Sequence, residues 1–279
     1  MILKSFVVFI FVNPLVSADN NLRAHLQDPK TVVIKKQKQD DCKVTPNVPF
    51  RSQYREDETI YRTFFADPPI CGGTVVEMGG LDGIRYSNSW FFQYALGWNA
   101  LLVEASPTNF EQMVQNRPDA INIFGAMCLG EATIQFRATD NMAAGGVVKD
   151  MSHKHKNRWA NDNNQIVDVP CMLVSKTLLD NGIDHVDAFF LDVEGAELSV
   201  LQTIEWGGKV KIDMFIVEMD GTNGPKNAAV RTLLRSQGYI TPFSTLTECV
   251  KFQSQCMPSD LFILEGVWNE KKQHAVSDA

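Results

Sequence analysis

The chain has 279 residues, 44% of them hydrophobic and 21% charged, which excludes a fibre and wholesale disorder and leaves room for one large domain or two small ones. Its formal net charge of -7, with lysines and arginines scattered along the chain, argues against a nucleic-acid partner and for a small or neutral substrate.

In chain order, residues 1–18 come first. Lys4 supplies a positive start, Phe6 to Val12 an unbroken apolar run and Val16-Ser17-Ala18 a small-residue cleavage site, the pattern of a secretory signal peptide. The run falls short of the roughly 20 residues a span needs and is interrupted by Asn13 and Pro14; a short membrane anchor formed by an uncleaved leader is the alternative. Residues 19–48 are polar and are expected to form a linker or stalk, and residues 269–279 a polar tail.

Between these flanks, residues 49–268 alternate apolar strand-like runs with helical patterns, which predicts βαβ units and a mostly parallel, doubly wound α/β sheet. Strands are expected from Thr74 to Met78, Ala100 to Glu104, Ile121 to Phe124, Ala188 to Asp192 and Met214 to Glu218. Helices are expected from Trp90 to Leu96, Thr108 to Asn116, Ser175 to Asn181, Glu197 to Ile204 and Asn227 to Gln237. The stretch from Ala138 to Asp168, with Gly145-Gly146, His153, His155 and Trp159, is expected to form a partly mobile lid. Tyr239 to Ser244 and Leu261 to Leu264, joined by a cysteine-bearing loop, predict an antiparallel C-terminal hairpin at the sheet edge.

The six cysteines form an even set without a C-x-x-C pair, and the five histidines are not at ligand spacing, so disulfides are expected and no metal site. Cys249 and Cys256 are near enough to close a short loop, whereas spacing leaves the other pairings open.

Three strand ends carry chemistry. Glu77-Met78-Gly79-Gly80-Leu81-Asp82-Gly83 follows the first strand, where missing side chains let a ligand approach the backbone; a plain tight turn is the bland alternative. Glu104 ends the second strand, where doubly wound nucleotide-binding domains place an acid for ribose hydroxyls. Asp192, Glu194 and Glu197 end the fourth; Glu197 suits the first turn of its helix, whereas Asp192 stands at the strand end itself.

Taken together, Gly73 to Gly83, Gly97 to Pro107 and Leu191 to Glu197 resemble FkbM-type methyltransferases, and most closely their eukaryotic secretory branch. Ser52 to Asp57 is similar to that family's entry motif, with Arg55 where glycine is usual, and the resemblance spans Phe50 to Trp268. It implies a Rossmann-like class I methyltransferase fold and S-adenosylmethionine as cofactor. The acceptor it implies is a hydroxyl on a small molecule or glycan.

Carried onto this chain, it implies a methionine-side loop of Glu77, Gly79, Gly80 and Gly83, with Glu104 on the ribose and Gln53, Asn88, Ala126 and Met127 completing the pocket. Asp192 would face the methyl group, with Glu194 beside it. An alcohol is a poor nucleophile until its proton can leave, so Asp192 is the first candidate base, Glu194 the second and His185 a distant third. In another arrangement Glu218 and Asp220 join Asp192 around a magnesium ion. The resemblance also implies the pairs Cys128 with Cys171 and Cys42 with Cys71. A lumenal binding or trafficking protein that keeps the fold without turnover is the competing class; the retained loop glycines, Glu104 and Asp192 favour an enzyme.

Overall fold

The near-continuous apolar runs of the strands require burial on both faces. In the computed structural model they obtain it. The structure describes residues 42–158, 164–219, 223–242 and 259–270, all within one compact unit; the leader and most of the linker lie outside the described residues.

The elements run α1 (Glu56–Phe64), β1 (Thr74–Met78), α2 (Trp90–Leu96), β2 (Asn99–Glu104), α3 (Pro107–Asn116), β3 (Ile121–Phe124), β4 (Ala126–Met127), β5 (Thr133–Thr139), β6 (Gly146–Val147), α4 (His153–Arg158) and β7 (Asn164–Met172). They continue with α5 (Val174–Asp180), β8 (His185–Val186), β9 (Ala188–Leu191), α6 (Glu197–Leu201), β10 (Lys211–Ile212), β11 (Met214–Glu218), α7 (Gly224–Ser236), β12 (Tyr239–Ile240) and β13 (Ser259–Leu264).

Seven strands form the main sheet in the order β12-β13-β11-β9-β1-β2-β3. β1 pairs in parallel with β2 on one side and β9 on the other, so the direction of winding reverses beside it and a crevice opens at the carboxyl ends of these strands. β13 runs antiparallel between β11 and β12, which gives the expected C-terminal hairpin; residues 243–258, with Cys249 and Cys256, lie outside the described residues.

Alternation along each strand divides the core. Val76, Met78, Leu101, Val103, Phe189, Leu191, Phe215 and Val217 face α5, α6 and α7. Val75, Ala100, Leu102, Phe190 and Ile216 face α1, α2 and α3. Helix starts follow local chemistry: Ser106 caps α3 with Pro107 at its first turn, and Asn223 caps α7 through Lys226 N–H at 3.1 Å.

Two elements differ from the sequence reading. α1 is an unforeseen helix, although three acids in its first turn and Arg62 in its last suit the helix dipole. It begins after Arg55, whose φ of 65° explains why glycine is usual at that position. The stretch 138–168 belongs to a second sheet rather than a loop, of order β4-β7-β5-β6, in which β5 and β7 pair antiparallel from Thr133↔Pro170 to Thr139↔Asn164; residues 159–163 lie outside the described residues. Gly125, at φ 139°, turns the chain from β3 into this sheet where a Cβ would meet the Pro170 carbonyl oxygen at 2.6 Å. Among the described residues no helix is long and apolar enough to cross a membrane.

Cys42 pairs with Cys71 and Cys128 with Cys171, with Cα separations of 5.3 and 5.4 Å. The first ties the segment before α1 to the entry of β1, and the second ties β4 to β7. Non-reducing peptide mapping should recover both pairs, and replacing Cys42 and Cys71 together by serine should lower stability to urea by about 3 kcal/mol, the loop-closure entropy returned to the unfolded chain.

Candidate active site

The loop after β1 is held from beneath. Glu77, fully buried, accepts hydrogen bonds from Ser87 Oγ at 2.9 Å, Asn88 N–H at 2.7 Å and Ser89 Oγ at 2.5 Å. Arg117, with no exposed surface, donates to Gly83 O at 2.9 Å, Ser87 Oγ and Ser89 Oγ at 3.0 Å each, and Gln93. Its guanidinium lies 5.5 Å from the ring centroids of Trp90 and Tyr94. Burial raises the Glu77 carboxyl and the Arg117 charge opposes the rise, so two buried ions hold the segment 79–89 through a pair of shared serine hydroxyls.

The glycines owe their missing side chains to this packing. A Cβ on Gly79 (φ 89°) would stand 2.0 Å from the Asp192 carbonyl oxygen, and one on Gly83 (φ 80°) 2.6 Å from Arg117 Cγ. On Gly80 it would meet Met113 Sδ at 2.6 Å. Of the implied methionine-side residues, Gly79 lines the crevice, while Glu77, Gly80 and Gly83 shape it from behind.

Gln53, Asn88, Glu104, Ala126 and Met127 come together around one end of the cavity with Leu81 and Ala105. Glu104 accepts the Ser106 N–H at 2.6 Å and the Leu81 N–H at 2.9 Å, and burial pushes its carboxyl up to about 7. Asn88 lines the cavity, and its Oδ1 is buried without a hydrogen-bond partner among the described residues. Phe136, Met142, Ala143 and Val147 of the second sheet complete an apolar wall suited to a flat heterocycle. The sequence reading expected part of this stretch as a lid; the structure places it in the cavity wall.

The other end is acidic. Asp192, Glu194, Glu218, Glu56 and Ser259 line it. Register puts Glu218 opposite Ser259, and Val217 opposite Leu191, so the ends of β9, β11 and β13 bring Asp192, Glu218 and Ser259 into one row. Ser259 Oγ lies 3.3 Å from Glu56 Oε1, which extends the row to α1. Asp192 and Glu218 are hydrogen-bonded: burial pushes Asp192 up to about 6, and burial together with the Asp192 charge raises Glu218 well above the carboxylate range. Of the pair, Glu218 is the member pushed up further and so holds a shared proton more firmly than Asp192. Burial raises Glu56 to about 7.

Glu197 serves the turn beside the row. Its Oε1 accepts from Val193 N–H at 3.3 Å and Gly195 N–H at 3.0 Å, and its other oxygen binds Lys226. Glu194, at φ 53°, faces His155 Nδ1 at 3.3 Å, which docks α4 of the second sheet's connection onto the site.

His185 stands elsewhere. It precedes β9, whereas Asp192 follows it, so the strand's length separates them and His185 pairs with Asp213 at 3.1 Å. It cannot act as a base on a ligand at the opposite edge. His185, Asp187 and Asp213 are the one group of potential metal ligands gathered within 4.8 Å among the described residues. Of the suggested magnesium set, Asp192 and Glu218 are neighbours, and Asp220 lies outside the described residues.

The family model for the methyltransferase FkbM domain matches residues 77–241. No curated protein matches the sequence significantly. Solved structures similar to the chain include a TehB-like SAM-dependent methyltransferase from Corynebacterium glutamicum, with 10% identity over 77% of this chain and 89% of that one and a TM-score of 0.38. Another is a precorrin-6y C5,15-methyltransferase from Geobacter metallireducens, with 9% identity over 80% and 92% and a TM-score of 0.40. A third is Aeropyrum pernix fibrillarin with bound S-adenosyl-L-methionine, with 11% identity over 69% and 66% and a TM-score of 0.35. Likenesses this remote carry no information about substrate.

The relay beneath the loop makes a stability prediction. Arg117→Met leaves Glu77 buried without its counter-charge and should cost about 3–5 kcal/mol in urea unfolding, whereas adding Glu77→Gln to that variant should recover part of the loss.

Proposed function

The chain belongs to the FkbM methyltransferase family, whose cofactor is S-adenosylmethionine, and from that premise we propose that it methylates a hydroxyl oxygen of a sugar or small metabolite in the secretory pathway. The cofactor supplies a methyl group already activated on a sulfonium, so the protein has to bind it, align the acceptor and remove the acceptor's proton.

The residues around the cavity fit that cofactor. Glu104, held by the Leu81 and Ser106 N–H groups at the end of β2, stands where a ribose diol would meet it, and the partnerless Asn88 Oδ1 accepts from an ammonium. The apolar wall takes the base, and Gly79 keeps side chains off the crevice floor. One observation supports the assignment to oxygen: the buried carboxyl of Asp192 lines the acceptor side of the cavity, hydrogen-bonded to Glu218, and burial pushes it up to about 6, where it can take a proton near neutral pH. A hydroxyl hydrogen-bonded to it can lose its proton as the methyl arrives. Its negative charge also suits a sulfonium.

The secretory assignment rests on the leader pattern of residues 1–18 and on two disulfides, which persist in oxidising compartments. Within the same reading, the leader is cleaved and no membrane span remains.

Calorimetry on the purified protein should show one S-adenosylmethionine site, weakened at least tenfold in Glu104→Ala. Because Glu104 accepts best when ionised and its carboxyl lies near 7, affinity should fall as pH drops from 8 to 6. A folded Glu104→Ala protein with unchanged affinity would remove the cofactor assignment.

Turnover tests the base. Asp192→Asn keeps the shape but not the proton acceptance, and should lower the rate by roughly 10²–10⁴ with cofactor affinity little changed. In the parent protein the rate should rise with pH through about 6 as Asp192 loses its own proton. Wild-type turnover in the variant would return Asp192 to a structural role.

A further inference from the structure

Counting charges along the cavity separates its two ends. Five carboxyl groups line it, those of Glu56, Glu104, Asp192, Glu194 and Glu218, and no lysine, arginine or histidine is among the lining residues. Glu104 stands with the cofactor's ribose across β1, and Asp192 faces the sulfonium and the hydroxyl. Glu194 already has His155 Nδ1 at 3.3 Å, and the buried Lys226 is bound to Glu197. Glu218 and Glu56 remain, on either side of Ser259, with no ion pair to a basic group among the described residues.

Their hydrogen bonds are incomplete in the same direction. Glu56 receives the Tyr54 N–H at 3.0 Å, its own backbone N–H and the Ser259 hydroxyl at 3.3 Å, all neutral donors. No protein donor reaches Glu218 Oε2, although the atom is buried. A buried carboxyl cluster in this state is held together by protons or by a cationic donor from outside. Anionic acceptors are repelled here, and a neutral polyol would leave the protons in place.

We infer that the acceptor carries a protonated amine near its reacting hydroxyl, held between Glu218, one strand away from Asp192, and Glu56, which bonds Ser259 two strands away. Neighbouring strands lie about 4.8 Å apart, so amine and hydroxyl stand roughly 5 to 7 Å from each other, a spacing that an amino sugar spans. The ammonium donates its hydrogens to the two carboxyl groups, Glu218 gives up its proton to solvent, and Asp192 is relieved of the hydrogen bond that Glu218 made to it. Its freed lone pair then accepts from the hydroxyl. Amine recognition thereby readies the base, and the specificity residues are Glu56 and Glu218. This inference rests on the methyltransferase reading of the same cavity.

Calorimetry on the full chain saturated with S-adenosylhomocysteine, titrated in turn with glucosamine, glucose and glucuronic acid at pH 7, tests it. Glucosamine should bind at least tenfold more tightly than glucose, with glucuronic acid not binding. Repeating the titration in phosphate and in Tris, whose ionisation heats differ, should reveal net proton release with glucosamine alone. Glu56→Gln, which retains the shape, should lower glucosamine affinity at least tenfold and leave glucose affinity nearly as it was. Equal affinity for glucose and glucosamine, binding of glucuronic acid, or absence of glucosamine binding and proton release in protein that binds S-adenosylhomocysteine would overturn the amine assignment alone. Failure to bind S-adenosylhomocysteine would overturn the methyltransferase reading and this inference with it.

Discussion

Everything in the crevice depends on a charge pair that never reaches it. Glu77 and Arg117 are both buried beneath the segment 79–89, and the hydroxyls of Ser87 and Ser89 join them. A loop of eleven residues with three glycines would otherwise have many conformations, and its ordering would be entropically costly. The relay fixes both its ends. Arg117 takes the Gly83 carbonyl in the middle and Glu77 takes the Asn88 N–H near the far end, which leaves the Asn88 side chain facing the cavity.

With the loop fixed, the switch in winding beside β1 sorts the chemistry. β2 lies on one side and carries Glu104, a carboxylate with two backbone donors. β9, β11 and β13 lie on the other and carry Asp192, Glu218 and Ser259 in register. The same edge therefore presents a hydrogen-bond acceptor for a neutral diol and a frustrated acid row for a polar acceptor, with one strand between them. The acid row opposes folding at neutral pH, since burial raises Glu56 and Asp192 and each must ionise at a cost. Such a cost is typical of a surface kept for a ligand that completes it.

The second sheet adds a wall. The Cys128–Cys171 disulfide closes it internally between β4 and β7, and His155 against Glu194 anchors it to the end of β9. Because Gly125 redirects the chain at the end of β3, residues of the stretch expected to form a lid line the cavity directly.

The sequence by itself determined the parallel α/β architecture, the positions of β1, β2, β3, β9 and β11 to within a residue, and the placement of Glu104 and Asp192 at strand ends. These follow from local periodicity and from residues that neighbour one another along the chain, and so does the family motif that spans them. Only the tertiary structure decided that Glu77 points away from the cavity toward Arg117, forty residues on, and that Gly80 and Gly83 accommodate Met113 and Arg117 rather than a ligand. It alone placed Glu56, Glu218 and Ser259 beside Asp192, and His185 at the far edge. Those relations are set by strand register and by contacts across more than a hundred residues of chain, as between Glu56 and Ser259. A one-residue slip in register would turn each side chain to the opposite face, and no local pattern in the sequence records which register the packed sheet selects.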